Sequence, residues 1–165
     1  MTRDRHVDID REWKMIGLVV DQFNQLEHTI TKIITAYIGP KTSRVDFFAK
    51  NLMNNSIVSF SSKVKLLLAI NKQENLVKLD KDHLHRILSV RNAIAHNDVA
   101  TKFKLEIPDD LDEDIYSYIV MDRMKGDGTV ETIPKDQAFG EFYELHSALQ
   151  PALNEMLEHA KRKFV

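Results

Sequence analysis

A long amphipathic stretch, from Ile9 to Ile38, limits the folds that this chain can adopt. Its apolar side chains recur every three or four positions, which places them along one face of an α-helix. Gly39-Pro40 follows, and this pair ends helices because glycine readily adopts the left-handed conformation and proline cannot continue the hydrogen-bond ladder. The predicted stripe comprises Trp13, Ile16, Val19, Val20, Phe23, Leu26, Ile30, Ile33, Ile34 and Tyr37. The pattern favours a mainly helical protein.

Two shorter amphipathic segments follow the long helix. Residues 42–54 form the first, which closes at Asn54-Asn55; its apolar positions are Val45, Phe48 and Leu52. A helix over Ile57 to Ile70 is predicted to turn Phe60, Val64, Leu67 and Leu68 inward. Lys63 and Lys65 are expected to point elsewhere. Solvated lysines are the commoner case, and a phosphate-contacting edge is the alternative.

A β-rich insertion separates the next helix, capped by Asp80, from the last one. Residues 99–133 combine alternating apolar positions with a turn at 125–128, which predicts a small antiparallel hairpin or three-stranded patch. The acidic residues 109–114 are predicted to form a solvated connection that repels RNA. The last helix is predicted from Pro134 to about residue 163, with a kink at Pro151. Its core positions are Phe139, Phe142, Leu145, Leu149, Leu153, Met156 and Leu157.

Composition indicates an ordinary globular protein, and residues 1–165 are predicted to form one domain with a 43% hydrophobic share. The formal net charge of −2 provides no global basic field, so any RNA contact requires a local patch or cleft. The chain has no cysteine, which excludes disulfides and fits a cytoplasmic location. No apolar run approaches the roughly 20 residues of a membrane span, and no membrane association is expected.

The chemistry of the chain concentrates in residues 89–98, which read Ser-Val-Arg-Asn-Ala-Ile-Ala-His-Asn-Asp. On a helix, Asn92 and His96 share a face, whereas Arg91 and His96 are separated by about 140° of rotation. Either the arginine side chain reaches round the helix, or a second copy of the helix completes the site. Asn97 suits a helix end, which would leave His96 exposed near the end of the helix.

Two charged residues, Arg91 and Glu27, are predicted to lie on or beside apolar helix faces. Glu27 follows Phe23 by four positions and precedes Ile30 by three. A buried charge is costly unless it is paired, so one hypothesis is that Glu27 and Arg91 approach each other or share a polar seam. The other is that Glu27 merely flanks its stripe. In generic sequences such an arginine is more often part of a structural ion pair, and a terminal histidine a solvated cap.

The sequence Arg91-Asn92-x-x-Ala95-His96, after Leu84-His85-Arg86-Ile87-Leu88, resembles the R-x(4–6)-H motif of the HEPN superfamily (higher eukaryotes and prokaryotes nucleotide-binding domain). The preceding segments, Phe23-x-x-Leu26-Glu27 and Ser62-Lys63-Val64-x-Leu66-Leu67, resemble the HEPN helical core in their order. The likeness covers about residues 10–98 and a last helix near 134–163. It implies an up-and-down bundle of about four to five helices, here with a β-rich insertion at 99–133.

The resemblance implies a metal-independent endoribonuclease that uses the 2′-hydroxyl of RNA as nucleophile and needs no cofactor. It implies that His96 transfers the proton, Arg91 stabilises the phosphate and Asn92 orients the imidazole or contacts the phosphate, with Glu27 in a supporting position. HEPN nucleases usually pair two motif helices, so a homodimer with a composite cleft is expected. A role as toxin or antiphage effector, restrained by an inhibitory partner protein, is a further implication of the family.

One position departs from the family. Some HEPN toxins carry a tyrosine two residues after the histidine, which a partner nucleotidyltransferase modifies, whereas this chain has Asp98. Regulation of that kind is therefore not expected. Two alternatives stay open at this point: a catalytically inactive HEPN-like module that binds RNA, a nucleotide or a protein partner, and an unrelated helical interaction protein.

Overall fold

The computed structural model describes residues 9–40, 42–96, 103–106, 116–124 and 127–164. The protein is mainly helical with a small antiparallel sheet before the last helix, which confirms the predicted fold class. The helices are α1 (Ile9–Ile38), α2 (Val45–Phe47), α3 (Phe60–Glu74), α4 (Lys81–His96) and α5 (Lys135–Phe164). The strands are β1 (Phe103–Glu106), β2 (Tyr116–Met124) and β3 (Val130–Pro134).

The chain divides into two compact units. Unit 1 comprises Met1–Asp21 and Leu88–Tyr143, and unit 2 comprises Gln22–Ile87 and Glu144–Val165. Helices α1, α4 and α5 each contribute residues to both units. The interpretation of the whole chain as one domain stays a prediction.

Helix α1 has the predicted bounds. Gly39 follows it with a positive φ of 58°, and its N–H donates to the Thr35 carbonyl at 3.1 Å. The placement of Trp13 in the apolar stripe was wrong, because its side chain is 59% exposed. The inner position of that turn is occupied by Glu12, which is buried 3.3 Å from the ammonium of Lys135, also buried. Residue 13 is rotated by about 100° from residue 12, which turns the indole outward.

The segment between α1 and α3 is less regular than predicted. Helix α2 lies between a 3₁₀ turn, Thr42–Arg44, and a π turn, Phe48–Leu52. Leu52, predicted as an apolar position of the first segment, is exposed. Ile57, predicted as the first residue of the next helix, is exposed as well. The chain turns at 54–58 through bonds from two backbone N–H groups to the Asn54 carbonyl, so α3 begins at Phe60, later than predicted. Within α3, Phe60, Val64 and Leu67 are buried as predicted, whereas Leu68 is half-buried.

The predicted β insertion is present as a three-stranded antiparallel sheet in the order β1-β2-β3. Met121 of β2 lies opposite Ile133 of β3, and both side chains are buried, which covers one face of the hairpin. The acidic residues 109–114 lie outside the described residues. Helix α5 continues through Pro151, and six of its seven predicted core positions are buried; Leu157 is half-buried. Within the described residues, no helix has both the length and the apolarity to cross a lipid bilayer.

Candidate functional site

The helix that carries the motif, α4, is held at its start by Asp80. One carboxylate oxygen of Asp80 accepts the N–H groups of Asp82 at 2.8 Å and His83 at 3.2 Å, which confirms the predicted N-cap. The bond from His83 is the main reason that the pKa of Asp80 lies below its ordinary value. The cap therefore stays ionised near the positive end of the helix dipole, where a negative charge is favourable.

Arg91 and Asn92 lie in the last two turns of α4, and both are half-buried. Their neighbours Val90 and Ile94 are fully buried, which fixes the rotation of this part of the helix in unit 1. The Arg91 Nη1 donates a hydrogen bond to Asn92 Oδ1 at 3.0 Å. Asn92 was expected to orient the histidine or contact a phosphate; in the structure its side-chain oxygen holds the guanidinium.

His96 is the last residue of α4, and its side chain is exposed. It lies about 6 Å along the helix axis from Asn92, on the same face. The residues that follow it, including Asn97 with its predicted helix stop and Asp98, lie outside the described residues. The structure thus brings Arg91 and Asn92 into contact and places His96 one turn further on.

Glu27, the predicted supporting residue, belongs to unit 2 and is buried, which confirms its inward position on α1. Its Oε1 accepts from Lys63 Nζ at 2.6 Å, and its Oε2 accepts from Asn55 Nδ2 at 2.9 Å. Lys63 Nζ also donates to Asn55 Oδ1 at 3.0 Å, so the three polar groups form a closed triangle. The proposed support of the motif by Glu27 stays a prediction.

The expectation that Lys63 points away from the core was wrong, because its side chain is 3% exposed. Lys63 accompanies the buried carboxylate of Glu27, and each charge makes the burial of the other tolerable. The sequence held a signal for this position. Lys63 follows Phe60 by three residues and precedes Leu67 by four, which is the spacing of the buried face of α3.

Unit 1 contains an ionic cluster that no local sequence pattern predicts. Arg123 of β2 donates from Nε to Glu131 of β3 at 2.7 Å and from Nη1 to Glu141 of α5 at 2.5 Å. Burial alone would lower the pKa of Arg123, but the two carboxylates raise it overall. The cluster ties the hairpin to the start of α5.

No group of three or more His, Asp or Glu side chains in the described ranges is arranged to hold a metal ion. Comparisons of the chain with protein-family models, with curated proteins and with solved structures found no match.

Proposed function

We propose that this protein is an endoribonuclease that cleaves RNA without a metal ion, with Arg91 and His96 as the groups that act on the substrate. The observation that supports it best is the arrangement on α4. A half-buried guanidinium is held by Asn92 at 3.0 Å, and an exposed imidazole lies at the end of the same helix. The resemblance of this stretch to the HEPN R-x(4–6)-H motif gives the arrangement its chemical interpretation.

RNA carries its own nucleophile, so the enzyme needs only proton transfer and charge stabilisation. The 2′-hydroxyl attacks the adjacent phosphorus and loses its proton to a base, while the bond from phosphorus to the 5′-oxygen breaks and that oxygen gains a proton. His96 is the proposed proton carrier, a role that contributes about 10²- to 10⁴-fold in typical enzymes. The products are a 2′,3′-cyclic phosphate and a 5′-hydroxyl.

Arg91 is proposed to bind the phosphate as its negative charge grows in the transition state. A guanidinium is planar and presents several N–H groups in a fixed fork, which matches phosphate oxygens. The bond from Nη1 to Asn92 orients this fork before the substrate arrives. Asn92 is thus proposed to position Arg91, a role distinct from the orientation of His96 or the phosphate contact that the resemblance implies.

The angle of about 140° between Arg91 and His96 on one helix favours a site completed by a second copy. We propose a homodimer in which the arginine of one protomer and the histidine of the other act on the same phosphate. RNA is the proposed substrate, and a toxin or antiphage effector with an inhibitory partner protein is the proposed biological setting.

The first test is cleavage of a mixed RNA substrate by the full chain in the presence of a chelator. Arg91→Ala and His96→Ala should each lose about 100-fold or more of the wild-type rate, because each removes a group that acts in the transition state. Arg86→Ala and His83→Ala are matched controls on the same helix and should retain the wild-type rate. Folding of each variant is checked by circular dichroism and melting temperature.

The products distinguish this reaction from metal-dependent hydrolysis, which leaves no cyclic phosphate, and the comparison of variants distinguishes it from contamination. Mass spectrometry should find cyclic-phosphate and 5′-hydroxyl ends on the fragments. An inert wild-type protein, or equal cleavage by all variants, contradicts the proposal. An inert protein that still binds RNA through Arg91 would support the binding-module alternative.

A further inference from the structure

Unit 2 contains a cavity of about 760 Å³ beside the second half of α1. Its wall is formed by α1, the irregular segment that includes the π turn Phe48–Leu52, Lys63 of α3 and two residues of α5. We call it the α1 cavity. Arg91, Asn92 and His96 are not among its lining residues. A volume in the range of about 300–1,000 Å³ is typical of pockets that bind small organic molecules.

The surface of the α1 cavity is mostly apolar, and its polar lining includes the triangle of Glu27, Lys63 and Asn55. A lysine ammonium has three N–H groups, and among the described residues Lys63 donates only to Glu27 and Asn55. One donor remains for a further acceptor. Because Lys63 is buried at the wall, a polar group that enters the cavity meets a donor whose direction is already set.

The charged residues of the wall give the cavity a positive balance. Four lysines and two carboxylates line it. Lys63 is matched by Glu27, and Lys50 by Asp46 at 3.3 Å. Lys161 pairs with Glu158, which lies outside the lining, and both side chains are more than half exposed. Exposed pairs of this kind are weak and can exchange partners.

Lys32 is the strongest single indication of an anionic occupant. It lines the cavity from α1, its side chain is exposed, and within the described part of the chain it forms no ion pair. An unneutralised cation at the mouth of a largely apolar cavity attracts a negative group and leaves the apolar part of the same molecule inside.

The irregular backbone of the wall supports the same conclusion. The Met53 N–H donates to the Phe48 carbonyl at 3.0 Å, five residues back, and this π turn directs Met53 and the following asparagines to the cavity. Single π turns occur often at functional sites.

We propose that the α1 cavity binds a small organic anion whose apolar body fills the cavity and whose negative group meets Lys32 at the mouth. The third N–H of Lys63 donates a hydrogen bond to an acceptor on the apolar body. This site is separate from the proposed nuclease motif and does not depend on it.

The test uses anilinonaphthalene sulfonate, a fluorescent probe with an apolar aromatic body and one anionic group, and phenylnaphthylamine, its uncharged counterpart. Fluorescence and calorimetric titration of the full chain should show one saturable site for the sulfonate. Lys32→Glu should weaken binding about fivefold or more, whereas Lys65→Glu, an exposed lysine of α3 outside the lining, should leave it unchanged.

A second pair of variants tests the location. Ala36→Trp places a large side chain in the cavity wall and should abolish binding, whereas Ala69→Trp, on the exposed side of α3, should not. Each variant is checked for its melting temperature, and Lys32→Glu decides the matter if Ala36→Trp does not fold. Equal binding by Lys32→Glu and Lys65→Glu, retained binding in folded Ala36→Trp, or equally tight binding of the uncharged probe would overturn the proposal.

Discussion

At the level of single residues, the structure buries two lysines, each beside a glutamate. Lys63 lies 2.6 Å from Glu27 in unit 2, and Lys135 lies 3.3 Å from Glu12 in unit 1. Taking charges out of water is costly, and the cost is offset only while both partners are present. Each pair therefore makes its two helices depend on each other.

The Lys63 pair provides a stability prediction. Lys63→Met should lower the free energy of unfolding by about 3–5 kcal/mol, because it leaves the carboxylate of Glu27 buried without its cation. Adding Glu27→Gln should restore much of the loss, since the amide is neutral. Urea unfolding measures both. Lys50→Met, at the exposed pair with Asp46, is the control and should change little. An equal loss in the double variant would mean that packing, not charge, sets the effect.

His146 provides a pH prediction. Burial lowers its pKa below the ordinary value of 6.5, and its Nε2 lies 3.0 Å from Gln150 Nε2, so the neutral ring must accept this bond. Between pH 6.5 and the lowered pKa, the unfolded chain binds a proton that the folded chain does not. Stability should therefore fall as the pH falls through this window. Above pH 6.5 His146 causes no such loss of stability.

His146→Gln should remove this part of the pH dependence. Melting temperatures between about pH 7.5 and pH 5 should fall less steeply in the variant than in the wild type. His28→Gln, at an exposed histidine of α1, is the matched control and should reproduce the wild-type slope. Parallel slopes for wild type and His146→Gln would contradict the assignment.

At the level of elements, the bounds of the long helices follow from local signals. The positive φ of Gly39 ends α1, Ser59 Oγ accepts the Ser62 N–H at the start of α3, and Asp80 caps α4. These bonds join residues within three or four positions, so the sequence carries the information directly. The irregular turns between α1 and α3, and with them the later start of α3 at Phe60, escaped prediction, because the hydrogen bonds of these turns do not follow one repeat.

The Asp80 cap gives the prediction at this level. Asp80→Ala should lower the melting temperature and weaken the start of α4, because two backbone N–H groups lose their acceptor. Asp80→Asn should keep most of the cap. In the wild type, the stability that the ionised Asp80 cap supplies should be lost as the pH falls through the lowered pKa of Asp80. Asp80→Asn should show no such loss. A melting curve for Asp80→Ala that matches the wild type would show that the cap is dispensable.

At the level of the whole molecule, the proposed nuclease requires two chains. If the arginine and histidine of one site come from different protomers, inactive Arg91→Ala and His96→Ala proteins should complement each other when mixed. Random exchange makes about half the dimers mixed, each with one intact site of two, so about a quarter of the wild-type rate should return. Light scattering establishes the dimer, and mixing either variant with itself is the control. A dimer without recovery would place both groups in one chain.

Some of the candidate functional residues can be identified from local sequence patterns, and others only from the tertiary structure. Arg91, Asn92 and His96 were identified from the sequence because they lie close together on one helix. The ionic cluster of Arg123 with Glu131 and Glu141 was not identified from the sequence, because it joins residues of two strands and a helix. The wall of the α1 cavity likewise combines four parts of the chain, which no local pattern relates.

By itself, the sequence determined the mainly helical class, the bounds of α1, the Asp80 cap and the β insertion, because each depends on periodicity or on bonds between near neighbours. Tertiary structure alone decided how the buried charges are paired. Lys63 is buried because a carboxylate 36 positions away is buried beside it, and Trp13 is exposed because Glu12 faces the buried Lys135. Burial of a charge depends on its partner, and that partner is fixed only when distant segments pack together.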